Sequence, residues 1–122
     1  MTNNDKQDKP KAIQLHPQEE QQPILFNITQ CGITEGIQHL VNEAVINELD
    51  LHLLLLKHMK NIDDNKHPED IEYNLQAIKS GTGRVLSVYD VKDHRLYINS
   101  YMDKVEGTTV SIETVIMLTD EY

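Results

Sequence analysis

The sequence predicts an α+β fold in a single domain, and two observations support this. The chain of 122 residues suits one hydrophobic core, and helical spacing of apolar residues in its first half gives way to β-rich runs in its second. The predicted order is a short strand, two helices, a three-stranded antiparallel meander and a C-terminal helix or strand. A disordered N-terminal arm precedes these elements.

The arm is predicted to comprise residues 1–23, and the domain residues 24–122. Among five Gln and three Pro, the arm holds only four apolar side chains, those of Met1, Ala12, Ile13 and Leu15. Such a segment cannot bury enough apolar surface to offset the entropy lost on ordering. Whether the arm orders when a partner binds is left open.

The first strand and the first helix are predicted directly after the arm. The run from Ile24 to Thr29 is rich in β-branched and apolar residues and closes at Gly32, which is typical of a short strand. Thr34 is a suitable N-cap, and apolar residues at helical spacing follow it from Ile37. A helix of two to three turns is therefore expected.

A second, longer helix is predicted from Asn47 to about Asn61. Its apolar side chains form two adjoining stripes that cover most of its circumference. A helix of this kind either packs centrally in the core or is shared with a partner. The second interpretation makes it a homodimer interface, and the residues assigned to that interface are Leu51, Leu54, Leu55 and Met59.

Two further segments fit both a helix and a strand. Residues 71–78 alternate between apolar and polar as a half-buried strand does, although the same residues also fit a helix that ends at Gly81. We expect the strand, because the Ser-Gly-Thr-Gly run at residues 80–83 suits a hairpin turn. Residues 109–122 suit an edge strand or a helix, and there we expect the helix.

The meander is predicted from β-branched and aromatic runs. Val85 to Val91 and Leu96 to Tyr101 flank a polar turn, and the segment 71–78 supplies the third strand.

No catalytic residue, metal site or cofactor is predicted, and an enzyme is not expected. His52 and His58 share the second helix, but a separation of six residues points them to different faces. Cys31 lies just before a helix start, where the helix dipole can lower a thiol pKa, yet a lone cysteine there is more often an inert buried side chain. The acidic loop at residues 63–70 lacks the Gly and Glu of a calcium-binding loop.

The charge of the chain indicates the class of its partner. Twenty acidic against eleven basic residues give a net charge of −9, of which about −8 belongs to residues 24–122. This charge opposes direct binding to nucleic acid and favours a protein partner with a basic surface, such as a nucleic-acid-binding effector. The carboxylates assigned to that contact are Asp63, Asp64, Glu69, Asp70, Glu72, Asp90, Asp93 and Asp103.

The sequence also predicts a cytoplasmic protein. The one cysteine cannot form an intramolecular disulfide, and residues 1–11 do not resemble a signal peptide. The longest apolar run, residues 53–56, is far shorter than the roughly 20 residues that cross a bilayer, so no membrane association is expected.

Four phrases of the sequence resemble a family of small proteins of unknown function that bacterial plasmids and phages encode. They are Thr34-Glu35-Gly36-Ile37-Gln38-His39-Leu40, the loop at residues 64–70, the run at residues 98–103, and the ending Glu-Thr-Val-Ile-Met-Leu-Thr-Asp-Glu-Tyr at residues 113–122. A Trp that the family carries before a Tyr pair has no counterpart here, since the chain has no Trp. The resemblance implies an accessory protein of a mobile genetic element and brings no catalytic residues with it.

Together, charge and resemblance predict a protein that acts by binding another macromolecule. The first hypothesis is an inhibitor of a host defence nuclease complex, of the anti-CRISPR or anti-restriction type, acting by nucleic-acid mimicry. The alternative is a self-associating structural or regulatory module whose Leu-rich helix forms the dimer interface.

Overall fold

The computed structural model describes residues 13–64 and 67–122, and the predicted α+β class is confirmed. The elements in chain order are α1 (Pro17–Glu20), β1 (Asn27–Ile28), β2 (Cys31–Ile33), α2 (Glu35–Asn42), α3 (Glu48–Met59), α4 (Pro68–Ser80), β3 (Arg84–Val91), β4 (His94–Val105), β5 (Thr108–Leu118) and a 3-10 turn (Thr119–Glu121).

The strands form one mixed sheet. β3, β4 and β5 make an antiparallel meander, and β1 and β2 both pair in parallel with the other side of β5. Lys92 and Glu106 open the two hairpin turns with φ of 55° and 52°, the left-handed backbone that matches the twist of paired strands. β3 is therefore one edge of the sheet, and the short strands β1 and β2 are the other.

The two predicted helices are confirmed together with the residues that begin them. The Thr34 hydroxyl caps α2 by accepting from the Ile37 amide. Asn47 and Asp50 cap α3 reciprocally, each side chain accepting from the backbone amide of the other. By contrast, the predicted first strand is shortened to Asn27–Ile28, and Thr29 adds a hydrogen bond from its amide to the Ser111 carbonyl.

The expectation of a strand at residues 71–78 is wrong, because these residues belong to α4. The helix begins at Pro68, which needs no hydrogen-bond partner at that position, and ends at Gly81 with a left-handed φ of 71°. Its buried residues are Asn74, Ala77 and Ile78, which follow helical spacing. The apparent alternation was misleading, since polar Asn74 is buried and apolar Tyr73 is exposed.

The expectation of a C-terminal helix is also wrong, because residues 108–118 form β5. The segment is rich in β-branched residues, which favour strands. A bulge opposite Tyr101 and Met102 inserts Ile112 as an extra residue and shifts the alternation of β5 by one. The meander is therefore present, with β5 as its third strand in place of residues 71–78.

The helices pack on one face of the sheet only. Ile37 and Leu54 of α2 and α3 join the strand residues Ile98 and Ile116 in one buried cluster. A second cluster holds Phe26, Ala77, Ile78, Val85 and Met102. Side chains alternate between the two faces of a strand, so the residues between these core positions form the opposite face, called here the open face.

The C-terminal end of α3 contacts the chain that precedes β1. The Lys60 ammonium donates to the carbonyls of Glu19 and Glu20 at 2.9 and 3.2 Å, and the Leu25 amide donates to the Met59 carbonyl at 2.8 Å. The described part of the predicted arm thus packs against the domain, while residues 1–12 lie outside the described residues. The domain boundary at residue 23 stays a prediction.

None of the helices in residues 13–64 and 67–122 is long and apolar enough to cross a membrane.

Candidate functional site

His58, the most deeply buried of the described histidines, is part of the core. Its Nδ1 lies 2.7 Å from the Ser87 hydroxyl of β3 and its Nε2 lies 2.7 Å from the Ser100 hydroxyl of β4, while Phe26 packs edge-on against the ring. Desolvation lowers the pKa of His58 to about 3. A neutral ring with no exposed surface cannot exchange protons with a substrate, so His58 is a structural residue.

The polar chain that starts at His58 continues across the sheet. Ser100 is hydrogen-bonded to Thr114 of β5, and Thr114 is 2.7 Å from the hydroxyl of Ser111. All of these side chains are buried. One helix and three strands are therefore joined by a continuous set of hydrogen bonds inside the core.

The predicted contact residues Asp63 and Asp64 close the edge of β3. The Val88 amide donates to Asp63 Oδ2 at 3.0 Å, and the Asp90 amide donates to Asp64 Oδ2 at 2.8 Å. Asn74 of α4 acts likewise, since its side chain bonds both the amide and the carbonyl of Leu86. These side chains occupy backbone groups that could otherwise pair with another strand.

The remaining predicted carboxylates are distributed over three regions. Glu69, Asp70 and Glu72 are exposed on the first turns of α4, and these three residues are called here the acidic turn. Asp90 forms a two-point ion pair with Arg95 at 2.8 and 3.0 Å, and hydrogen bonds from Arg95 lower the Asp90 pKa.

Asp93 lies in the turn between β3 and β4, and Asp103 lies near the far end of β4. Because Asp90 pairs with Arg95, Asp103 is roughly 27 Å from Asp90 at the rise of an antiparallel strand. The structure therefore brings Asp63, Asp64 and Asp90 together and leaves Asp103 apart.

The four residues assigned to a dimer interface differ in burial. Leu54 is buried in the first cluster, while Leu51 and Leu55, which pack against the same cluster, and Met59, which packs against the second, are partly buried. A dimer interface at these residues stays a prediction. On the same helix Leu49 is exposed instead.

The open face has a regular arrangement that follows from the strand register. Three rows run across β3, β4 and β5. They are Arg84, Tyr101 and Glu113, then Leu86, Asn99 and Val115, then Val88, Tyr97 and Met117. The open face therefore has a tyrosine on either side of Asn99 along β4 and carries opposite charges at one end.

Tyr122 lies on this face. Its ring packs edge-on against Tyr97 with centroids 5.3 Å apart, and the Arg84 guanidinium lies 5.2 Å from its centroid. Because Arg84 and Tyr97 belong to the two outer rows, a ring that contacts both lies over the central row, which contains Asn99. Tyr122 itself is 58% exposed.

A cleft of about 300 Å³ opens where α4 meets the open face. It is lined by Asp70, Tyr73 and Asn74 of α4 and by Arg84, Leu86 and Val88 of β3. With Tyr73 at this cleft, four of the five tyrosines of the chain lie on or beside the open face, and Tyr89 is in the core. The alternation of a strand already places Tyr97, Asn99 and Tyr101 on one face. Sequence reasoning missed the grouping because the strands beside β4 and the position of Tyr122 do not follow from a local pattern.

Cys31 and a metal site are two other candidates for chemistry among the described residues. Cys31 is exposed, so the expectation of a buried side chain is wrong, and partial desolvation raises the pKa of its thiol. In residues 13–64 and 67–122, His, Cys, Asp and Glu side chains form no group of three that could hold a metal ion. The open face and the acidic turn are therefore the candidate site.

Comparison of the chain with protein-family models, with curated proteins and with solved structures gives no match. The resemblance to plasmid and phage proteins stays a prediction.

Proposed function

We propose that this chain acts by binding a basic surface of a nucleic-acid-binding protein, with defence nuclease complexes as the first targets to test. The observation that carries the proposal is the position of the acidic turn beside the cleft that Tyr73 and Arg84 line. Tyrosine and arginine are enriched in the energetically important centres of interfaces, and flanking carboxylates speed encounter with a basic partner. The net charge of −9 acts in the same direction.

The mode of action follows from the same charges. A compact acidic domain that covers Lys and Arg side chains competes with DNA or RNA for them, since nucleic-acid binding depends mainly on contacts to phosphates. The chain would then be an inhibitor of the anti-CRISPR or anti-restriction type. Its binding should weaken as salt rises, because exposed charges are screened.

The test uses a double variant, Glu69→Lys with Glu72→Lys, in the acidic turn. Neither carboxylate is hydrogen-bonded to the backbone of a strand. Glu69 Oε1 lies 3.9 Å from His67 Nδ1, and Glu72 accepts a hydrogen bond from the Gln76 side chain on the same helix. The matched control is Glu43→Lys with Glu48→Lys, which makes the same change in net charge at exposed positions around the junction of α2 and α3.

Binding is measured to a purified RNA-guided nuclease complex and to a purified restriction nuclease, each with and without its DNA. We expect binding that DNA displaces, and a loss of roughly tenfold or more in the acidic-turn variant but not in the control. Two results would contradict the proposal: no binding to either nuclease, or binding that neither DNA nor the acidic-turn variant changes.

A further inference from the structure

The centre of the open face holds a hydrogen-bond acceptor without a donor. Asn99 is only 5% exposed, and its Oδ1 is buried with no hydrogen-bond partner among the described residues. Buried polar atoms are almost always hydrogen-bonded, so an exception calls for an explanation. A donor supplied by another molecule would remove the deficit.

The neighbours of Asn99 indicate what kind of donor fits. Tyr97 and Tyr101 lie on either side of it along β4, on the same face. The face already holds one guanidinium against an aromatic ring, that of Arg84 beside Tyr122. A planar cation stacks on such rings while its N–H groups donate in the plane.

The charges of the open face also select a cation. Arg95 is paired with Asp90. Two carboxylates remain on the face, that of Glu113 beside Tyr101 and that of Asp103 two residues further along β4. The cation near them is Arg84. Carboxylates therefore exceed unpaired cations at this end of the face. An incoming positive charge would be attracted, and an anion would be repelled.

We propose that the open face binds an arginine side chain presented by the partner protein. The guanidinium donates to Asn99 Oδ1 and stacks on the tyrosine rings, with Glu113 at the end of the site. The exposed ring of Tyr122 moves aside to admit it. This inference rests on the proposed function only in taking the partner to be a protein with a basic surface.

The test is an NMR titration of the full chain with the blocked peptide acetyl-Gly-Arg-Gly-amide. Two analogues replace Arg by Lys and by citrulline, which keeps the shape of Arg but has no charge. We expect the arginine peptide to shift the Asn99 side-chain amide and the ring signals of Tyr97, Tyr101 and Tyr122. We also expect the lysine peptide to bind more weakly, and the citrulline peptide to bind roughly tenfold more weakly.

The variant Asn99→Leu removes the acceptor while keeping a side chain of similar size. It should bind the arginine peptide roughly tenfold more weakly, and its melting temperature should equal or exceed that of the wild type, because an unsatisfied polar atom has been removed. The control Asn42→Leu makes the same replacement at an exposed position of α2 and should bind as the wild type does.

Three results would overturn the inference: equal binding of the arginine and citrulline peptides, unchanged binding by Asn99→Leu, or signal shifts that map away from the open face. These outcomes are distinct from failure of the proposed function. If the acidic-turn variant loses nuclease binding while Asn99→Leu leaves peptide binding intact, only the arginine site is refuted. If Asn99→Leu loses peptide binding but no nuclease binds, only the proposed function is refuted.

Discussion

The buried histidine of α3 makes the stability of the domain depend on pH in a defined direction. His58 has a folded-state pKa of about 3 against an ordinary value of 6.5. Protonation therefore favours the unfolded chain, in which the ring takes up a proton more readily. The stability associated with the neutral ring is fully present above pH 6.5 and is lost as pH falls from 6.5 towards 3.

The magnitude follows from the two pKa values. Each pKa unit corresponds to about 1.4 kcal/mol, so His58 lowers the free energy of unfolding by about 1.4 kcal/mol at pH 5.5 and about 2.7 kcal/mol at pH 4.5, relative to pH 7.5. The full value applies because the ring is buried and water does not screen it. Carboxylates elsewhere titrate as well, so the effect must be isolated with a variant.

The variant is His58→Leu, which removes the titrating ring and leaves Ser87 without its partner. At pH 7.5 it should be less stable than the wild type by about 1–3 kcal/mol. That difference should shrink by about 2.7 kcal/mol at pH 4.5, because only the wild type loses stability through this group. Urea unfolding at pH 7.5, 5.5 and 4.5 measures both quantities.

The control is His52→Leu, at an exposed position of the same helix. It should follow the pH dependence of the wild type. A difference between wild type and His58→Leu that stays constant from pH 7.5 to pH 4.5 would refute the reasoning, since the ring would then titrate equally in both states.

Three further changes test other parts of the fold. Asn74→Ala removes two hydrogen bonds to the backbone of β3, so urea unfolding should show a loss of about 2–3 kcal/mol and gel filtration should show self-association through the opened edge; a stable monomer would contradict this. Gly81→Ala should cost about 1–2 kcal/mol and more than Gly107→Ala, because both have left-handed φ but only the first new methyl meets Lys104; equal losses would contradict this. Thr34→Ala should cost about 1 kcal/mol by urea unfolding, as the loss of a helix cap does, and no change would show that the cap is dispensable.

The part of the fold that the sequence predicts well is the part with local signals. Thr34 and Asn47 are strong N-caps, and the helices they begin were predicted close to their observed bounds. The double apolar stripe of α3 was also a true signal, since one side faces the sheet. Its C-terminal end contacts Glu19, Glu20 and Leu25, and sequence reasoning had assigned the first two of these residues to a free arm.

The two wrong elements failed for physical reasons that a pattern does not contain. In α4, Asn74 is polar but buried, because its side chain is hydrogen-bonded to the Leu86 amide at the edge of β3. A polar residue in the pattern therefore did not indicate an exposed position. In β5, the extra residue Ile112 moves later side chains to the other face, and the resulting spacing imitates a helix. Both effects depend on which strand lies alongside.

The candidate site could be predicted only in its charge. Acidic runs are visible in a sequence, but a sequence does not show that the Asp63 and Asp64 carboxylates accept hydrogen bonds from backbone amides of the edge strand β3. The open face is formed by residues that are distant in sequence, such as Arg84 and Tyr122. Their proximity follows from strand register, which no local pattern specifies.

The hydrogen-bonded chain from His58 to Thr114 also bears on how the domain assembles. The two ring nitrogens need partners on β3 and β4, and Ser100 needs Thr114 on β5. If β4 slipped by two residues, Ile98 or Met102 would replace Ser100 and the ring would lose a partner. The hydrogen bonds of the buried ring therefore favour this strand alignment over one shifted by two residues.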